Sequence, residues 1–177
     1  MLNQIRSAFF KNALAKLIAS QTRLRNPHHF DSAKSIGIIF DATNENTRKE
    51  ITEWAKGLEK AGKKTRLFAF FQAKQAPENL GFECFTSKET TWAGLPKSEK
   101  ATAFAKEQFD LLLSYNPDEQ PQLAWLASAS KASMKIGLST RFANDFDMQL
   151  EIPEGKGFRY FIEQLRIYLD KIVLTKP

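Results

Sequence analysis

Two short segments of this 177-residue chain hold the side chains best suited to chemistry: Asp41-Ala42-Thr43-Asn44 and Ser114-Tyr115-Asn116-Pro117. Each closes a short apolar run, so each stands where a buried strand would end. Asp41, Thr43, Asn44, Ser114 and Asn116 together offer a carboxylate, hydroxyls and amides, a set able to hydrogen-bond a sugar or a nucleotide. The same residue types also cap helices and build turns. Arg141, just past the run that ends at Leu138, adds a guanidinium able to grip a phosphate or a carboxylate.

Specific catalytic and cofactor signatures are missing. The turn after Phe40 has no glycine, so a pyrophosphate could not approach the backbone as it does in G-x-G-x-x-G folds, and no P-loop sequence is present. His28-His29 directs neighbouring imidazoles apart, and no Cys or spaced His completes a metal set. Asp145 and Asp147 have the spacing to share a magnesium ion, though a turn near Asn144 explains them more cheaply. Cys84, the one cysteine, lies between Phe82 and Phe85 and reads as a small buried hydrophobe. Trp92-Ala-Gly94-Leu-Pro96 reads either as a lid or as packing beside the core. No catalytic residue, metal or cofactor is therefore expected.

The elements that must position these residues follow from periodicity. Ile36-Gly-Ile-Ile-Phe40, Thr65 to Phe71, Phe109 to Ser114 and Met134 to Leu138 are continuous apolar runs of the kind buried on both faces of a parallel sheet. Phe82 to Phe85 and Gln149 to Ile152 read as shorter strands. Ile51, Trp54, Ala55 and Leu58 keep helical spacing until Gly62, which suits a left-handed helix end. Further helices are expected at Ser98–Gln108, after Asp118 with Pro121 in the first turn, and at Gly157–Val173. Strand and helix alternate, which predicts an α/β fold: a three-layer, Rossmann-like, mostly parallel sheet in one domain, residues 34–175. Ligands of such sheets lie beyond the carboxyl ends of the strands, where the strand order reverses. If the strand at 36–40 neighbours that at 109–114, Asp41 and Asn116 share that crevice.

Residues 1–26 form a separate segment. The chain carries a net charge of +6, and residues 1–30 contain Arg6, Lys11, Lys16, Arg23 and Arg25 but no acidic residue. Leu2, Ile5, Phe9, Phe10, Leu14, Leu17 and Ile18 recur at three- and four-residue steps, predicting an amphipathic helix with one apolar face. Lys11, Asn12 and Lys16 interrupt the apolar residues, so no export signal is expected, and no run is long enough to span a bilayer. A cytoplasmic protein is the expectation, with the helix either packed on the domain or bringing it to the inner membrane. A basic amphipathic helix suits an anionic membrane surface or a protein partner. Ribosome or RNA binding draws on the same charges but lacks exposed aromatic residues interleaved with them.

The basic helix together with Ile36-Gly-Ile-Ile-Phe-Asp-Ala-Thr43, Trp92-Ala-Gly-Leu-Pro96, Phe109-Asp-Leu-Leu-Leu-Ser114 and Lys135-Ile-Gly-Leu138 resembles a family of short proteins from Bacteroidota, classed as a domain of unknown function. That resemblance implies a cytoplasmic protein and assigns no catalytic residue. Phe109 to Leu138 is also similar to the N-terminal half of heptosyltransferase-type glycosyltransferases. Those enzymes read Asp and then Gly after this strand, where Ser114 and Pro117 stand here, and place the nucleotide-sugar site mainly in a second domain. Two functions follow as expectations. One is an accessory or binding protein recruited through its basic helix. The other is a small enzyme or ligand sensor, for a nucleotide or a sugar phosphate, using the crevice near Asp41.

Overall fold

The computed structural model describes residues 1–173. Among them six strands, β1 (Ser35–Asp41), β2 (Lys64–Phe71), β3 (Glu83–Thr86), β4 (Leu111–Tyr115), β5 (Met134–Leu138) and β6 (Met148–Leu150), form one sheet in the order β3-β2-β1-β4-β5-β6. All adjacent pairs run parallel. This is the strand order of dinucleotide-binding Rossmann folds, and the order reverses between β1 and β4.

The alternation within strands sorts the core into two layers. Ile36, Ile38 and Phe40 of β1 join Leu111, Leu113 and Ile136 on one face, beneath α2 (Glu45–Lys60) and α5 (Phe158–Val173). Ile39, Phe68, Phe70 and Leu112 face the other way, onto α3 (Glu99–Lys106) and α4 (Pro121–Ala129). β1 and β4 are buried throughout apart from Ser35, as their unbroken apolar runs require.

Helix ends follow local chemistry. The Asn44 side chain accepts a hydrogen bond from the Thr47 N–H and starts α2. Gly62, at φ +85°, closes it in the left-handed region that glycine enters at least cost. α3 stops at Lys106, two residues short of the expected end. Asp118 does not cap α4: the helix begins at Pro121, Gln120 occupies the cap position, and no side chain caps it.

α1 (Leu2–Ser20) lies against α4. It has no single apolar face, contrary to the expectation from spacing. At 3.6 residues per turn, Phe10, Leu14 and Leu17 form one strip, of which Phe10 and Leu14 are buried. Phe10 packs edge-on against Phe142 and tilted against Trp125, at ring separations of 5.6 and 6.4 Å. Leu2, Ile5 and Phe9 form a second strip that stays in solvent. Both strips obey the same three- and four-residue spacing, so the sequence pattern merges them.

Candidate functional site

The carboxyl ends of β1 and β4 adjoin, as the strand order demands, and bring Asp41, Thr43, Asn44, Ser114 and Asn116 to one edge of the sheet. The side chains there are held by one another. Asp41 is buried, and its Oδ1 accepts the Thr43 N–H at 2.9 Å. Its Oδ2 accepts from Gln120 Nε2, also at 2.9 Å. Asn116 grips the backbone of the same Gln120, accepting its N–H at 2.7 Å and donating to its carbonyl at 3.0 Å. Gln120 thus ties the β4 loop to the end of β1 across the point of reversal. Sequence reasoning passed over it, and only its place before Pro121 marked a helix start.

Of the remaining predicted residues, Thr43, Asn44 and Arg141 also have local partners. Asn44 caps α2, and Thr43 Oγ1 accepts the Gln72 N–H at 3.4 Å. Ser114 is buried within β4. Arg141 lies beyond β5, its guanidinium 3.1 Å from Glu119. Hydrogen bonds from the Arg141 N–H and the Thr140 hydroxyl, with the Arg141 charge, hold the Glu119 carboxyl below the usual range. Replacing Gln120 by Leu is expected to cost about 1–3 kcal/mol, because the buried Asp41 carboxylate loses a donor. Urea denaturation measures this directly.

One strand further along the same edge, the loops after β4, β5 and β6 enclose a cleft of about 540 Å³. Asn116, Asp118, Ser139, Glu151, Glu154 and Lys156 supply its polar lining. Three carboxylates against one ammonium make a field that opposes a phosphate. The N-terminus of α2, where a pyrophosphate rests in dinucleotide-binding folds, is taken by Asn44 and has Glu45 in its first turn. Among the described residues no group of three or more His, Cys, Asp or Glu side chains could hold a metal ion. Burial chiefly pushes the Cys84 thiol pKa up, away from nucleophilic reactivity.

Asp145 and Asp147 instead anchor the segment that follows α1. Arg23, expected on a binding surface, has a side chain only 2% exposed. Its guanidinium donates to Asp145 Oδ2 at 3.2 Å, to the Asp145 carbonyl at 2.8 Å, to Asp147 Oδ2 at 2.8 Å and to the Ser133 carbonyl at 3.0 Å. Lys135, fully buried on β5, reaches Asp145 at 2.9 Å and the Ser128 carbonyl at 3.2 Å. Arg25 remains mostly exposed, 3.3 Å from Asp147. The five basic residues therefore divide. Arg6, Lys11 and Lys16 stand exposed on α1, Arg25 is shared, and Arg23 is internal.

Beside Arg6 and Lys16 runs the exposed strip of α1. Phe9, 49% exposed, meets Trp92, 61% exposed, at a ring separation of 5.2 Å. Trp92 stands on a tight turn in which the Gly94 N–H donates to the Thr91 carbonyl and the Thr91 N–H to that of Leu95. It neither closes over the cleft nor packs into the core. With Leu2 and Ile5 it extends one apolar surface along the outside of α1.

Residues 6–172 match a family of unknown function, DUF6913. The chain belongs to this family. No curated protein and no solved structure matches it. The DUF6913 match begins within α1 and ends within α5, so it takes in the sheet and most of α1, with Phe9 but without Leu2 and Ile5. No helix among the described residues is long and apolar enough to cross a membrane.

Proposed function

We propose that this DUF6913 protein is an accessory binding protein whose Rossmann-like domain attaches to an anionic membrane surface through α1 and Trp92. The observation that carries this reading is the contact of Phe9 with Trp92 while both remain about half exposed or more. A continuous apolar surface left in water marks an interaction site. Trp and Phe are favoured at the depth of lipid headgroups, and a helix lying in that plane keeps its Lys and Arg side chains toward the anionic surface. Arg6, Lys11 and Lys16 are exposed and make no ion pair among the described residues. Arg6 and Lys16, which flank the exposed strip, each contribute about 1 kcal/mol near such a surface, while Lys11, two residues from Phe9, lies on the opposite side of α1. The attachment is reversible and peripheral, and a cytoplasmic protein at the inner membrane is the setting that fits it. The alternative, a small enzyme or ligand sensor, would use the cleft beside Asn116, whose carboxylates favour a neutral or cationic ligand over a nucleotide or a sugar phosphate.

Co-sedimentation with vesicles tests the attachment. The wild-type chain is expected to pellet with anionic vesicles and much less with neutral ones. Phe9→Ser with Trp92→Ser removes roughly 1–2 kcal/mol of apolar burial per site, which weakens partitioning at least about thirtyfold. Both side chains are largely in solvent, so the far-ultraviolet spectrum and Tm should hold. Pelleting with ribosomes in place of vesicles, or dimerisation through the strip in sedimentation equilibrium, would overturn the proposal.

A further inference from the structure

α1 and α3 both lie against α4, and between them they leave a trough of about 260 Å³ over the face of α4. Trp125, Leu126 and Ala129 of α4 form its floor, Leu17 of α1 one wall, and Ala101 and Ala105 of α3 the other. Trp125 is braced from α1 by Phe10. The two ends of the trough differ. Pro96, ahead of the Ser98 cap of α3, marks an uncharged end. At the other end all three helices stop, and Gln21, Lys106 and Lys131 stand there together. The Lys131 N–H donates to the Ala105 carbonyl at 3.0 Å and its ammonium to Gln21 Oε1 at 2.7 Å, which holds that charge beside the trough. No carboxylate lines the trough, and neither lysine makes an ion pair among the described residues. The carbonyl ends of the helices carry about half a negative charge each, so the two lysines alone make this end attract an anion.

We infer that this trough binds a free long-chain fatty acid, its single acyl chain along Trp125 and Leu126 and its carboxylate between Lys106 and Lys131. The site shares no residue with the strip of Phe9 and Trp92, so it goes beyond the attachment reading and stands or falls apart from it. A partner helix does not fit: one turn, about 10 Å wide and about 5.4 Å long, fills roughly 400 Å³. A phospholipid would leave its second chain in water, which a one-chain acid avoids.

Titration calorimetry with laurate below its micelle concentration, read alongside methyl NMR of Ala101, Ala105 and Ala129, tests the site. Laurate is expected to bind and to shift those methyls. Butyrate, with the same head and almost no chain, is expected to bind at least about a hundredfold more weakly, since each methylene seated adds affinity. Dodecylamine, with the same chain and the opposite head charge, is expected to bind about tenfold more weakly, as a surface ion pair exchanged for a repulsion allows. Ala129→Leu fills the trough at a half-buried position and should weaken laurate at least about tenfold. Thr102→Leu, on the exposed rim, is the second block should Ala129→Leu fail to fold. Lys106→Gln with Lys131→Gln should erase the preference for laurate over dodecylamine. Phe9→Ser with Trp92→Ser should leave laurate binding intact while vesicle attachment is lost, which keeps the two readings distinguishable. Laurate that fails to bind, or that shifts the Phe9 and Trp92 resonances in place of the three alanines, overturns the site. Undiminished binding in a folded blocking variant, or a head preference that survives loss of both lysines, does the same. Dimers in sedimentation equilibrium that Ala129→Leu dissolves would make a second copy the occupant and overturn it as well.

Discussion

Replacing Asp145 by alanine is expected to lower the unfolding free energy by about 3–5 kcal/mol, the range for a buried ion pair deprived of one partner. Lys135 is fully buried on β5, and Asp145 is the carboxylate that its ammonium reaches. Without it the charge faces the Ser128 carbonyl alone. Arg23 loses a partner in the same substitution. Lys135→Met is expected to cost less than Asp145→Ala, because Asp145 keeps Arg23 as a partner while an apolar chain of similar length removes the desolvation cost of the ammonium. Guanidinium denaturation of the two variants separates a network that supports the fold from one that the fold merely tolerates.

The same lysine gives stability a pH dependence. Burial lowers its pKa from 10.5 to about 8, opposed by the charge of Asp145. Below pH 8 both folded and unfolded chains carry the proton, and the cost of burying the charge is present in full. Between 8 and 10.5 the unfolded chain retains a proton that the folded chain has released, so this group makes stability rise with pH across that window. Above it the cost is gone. The difference in unfolding free energy between wild type and Lys135→Met, followed from pH 7 to about 11, should shift in favour of the wild type as pH rises. A flat difference would mean that Lys135 titrates alike in both states.

Deleting residues 1–25 is expected to be at least as damaging. The deletion takes Arg23 from Asp145 and Asp147, and it uncovers Trp125 and Phe142, on which Phe10 packs. Loss of two fully buried apolar side chains costs roughly 1.5–3 kcal/mol each. Leaving Asp145 and Lys135 without Arg23 adds a further few kcal/mol by the buried-pair argument. For a chain of this size 1 kcal/mol moves Tm by about 2–4 °C, so a fall of more than about 10 °C, or aggregation on expression, is the expected result. α1 then has two unlike strips, one closing the domain and the other left in solvent. A truncated chain that melts like the full-length one would show that α1 is an appendage, with its exposed strip separable from the fold.

Much of the architecture was legible in one dimension. Ile36 to Phe40 and Leu111 to Leu113 are apolar without alternation, which only a strand covered on both faces tolerates, and they became the two central strands. Helical spacing from Ile51 to Leu58, stopped at Gly62, set the first crossover, and the parallel sheet followed from the alternation of such units. The place of the candidate crevice was also readable, since β1 and β4 do adjoin and their polar ends do meet. All of these depend on local periodicity and turn chemistry, which a few consecutive residues carry.

The fate of individual polar and apolar side chains was decided elsewhere. Arg23 and Asp145 lie 122 positions apart, and nothing near either one announces that the most secluded of the five N-terminal cations would be an internal strut. Lys135 reads as one polar residue in a β5 run and is buried because Asp145 folds back over it. Gln120 closes the junction of β1 with β4 through a carboxylate 79 positions away. Six of the seven apolar residues singled out on α1 share one spacing, yet they split into an inward and an exposed strip because α4 covers only part of the helix. Spacing along a chain reports which side chains share a face; burial and pairing depend on what the rest of the fold brings against that face.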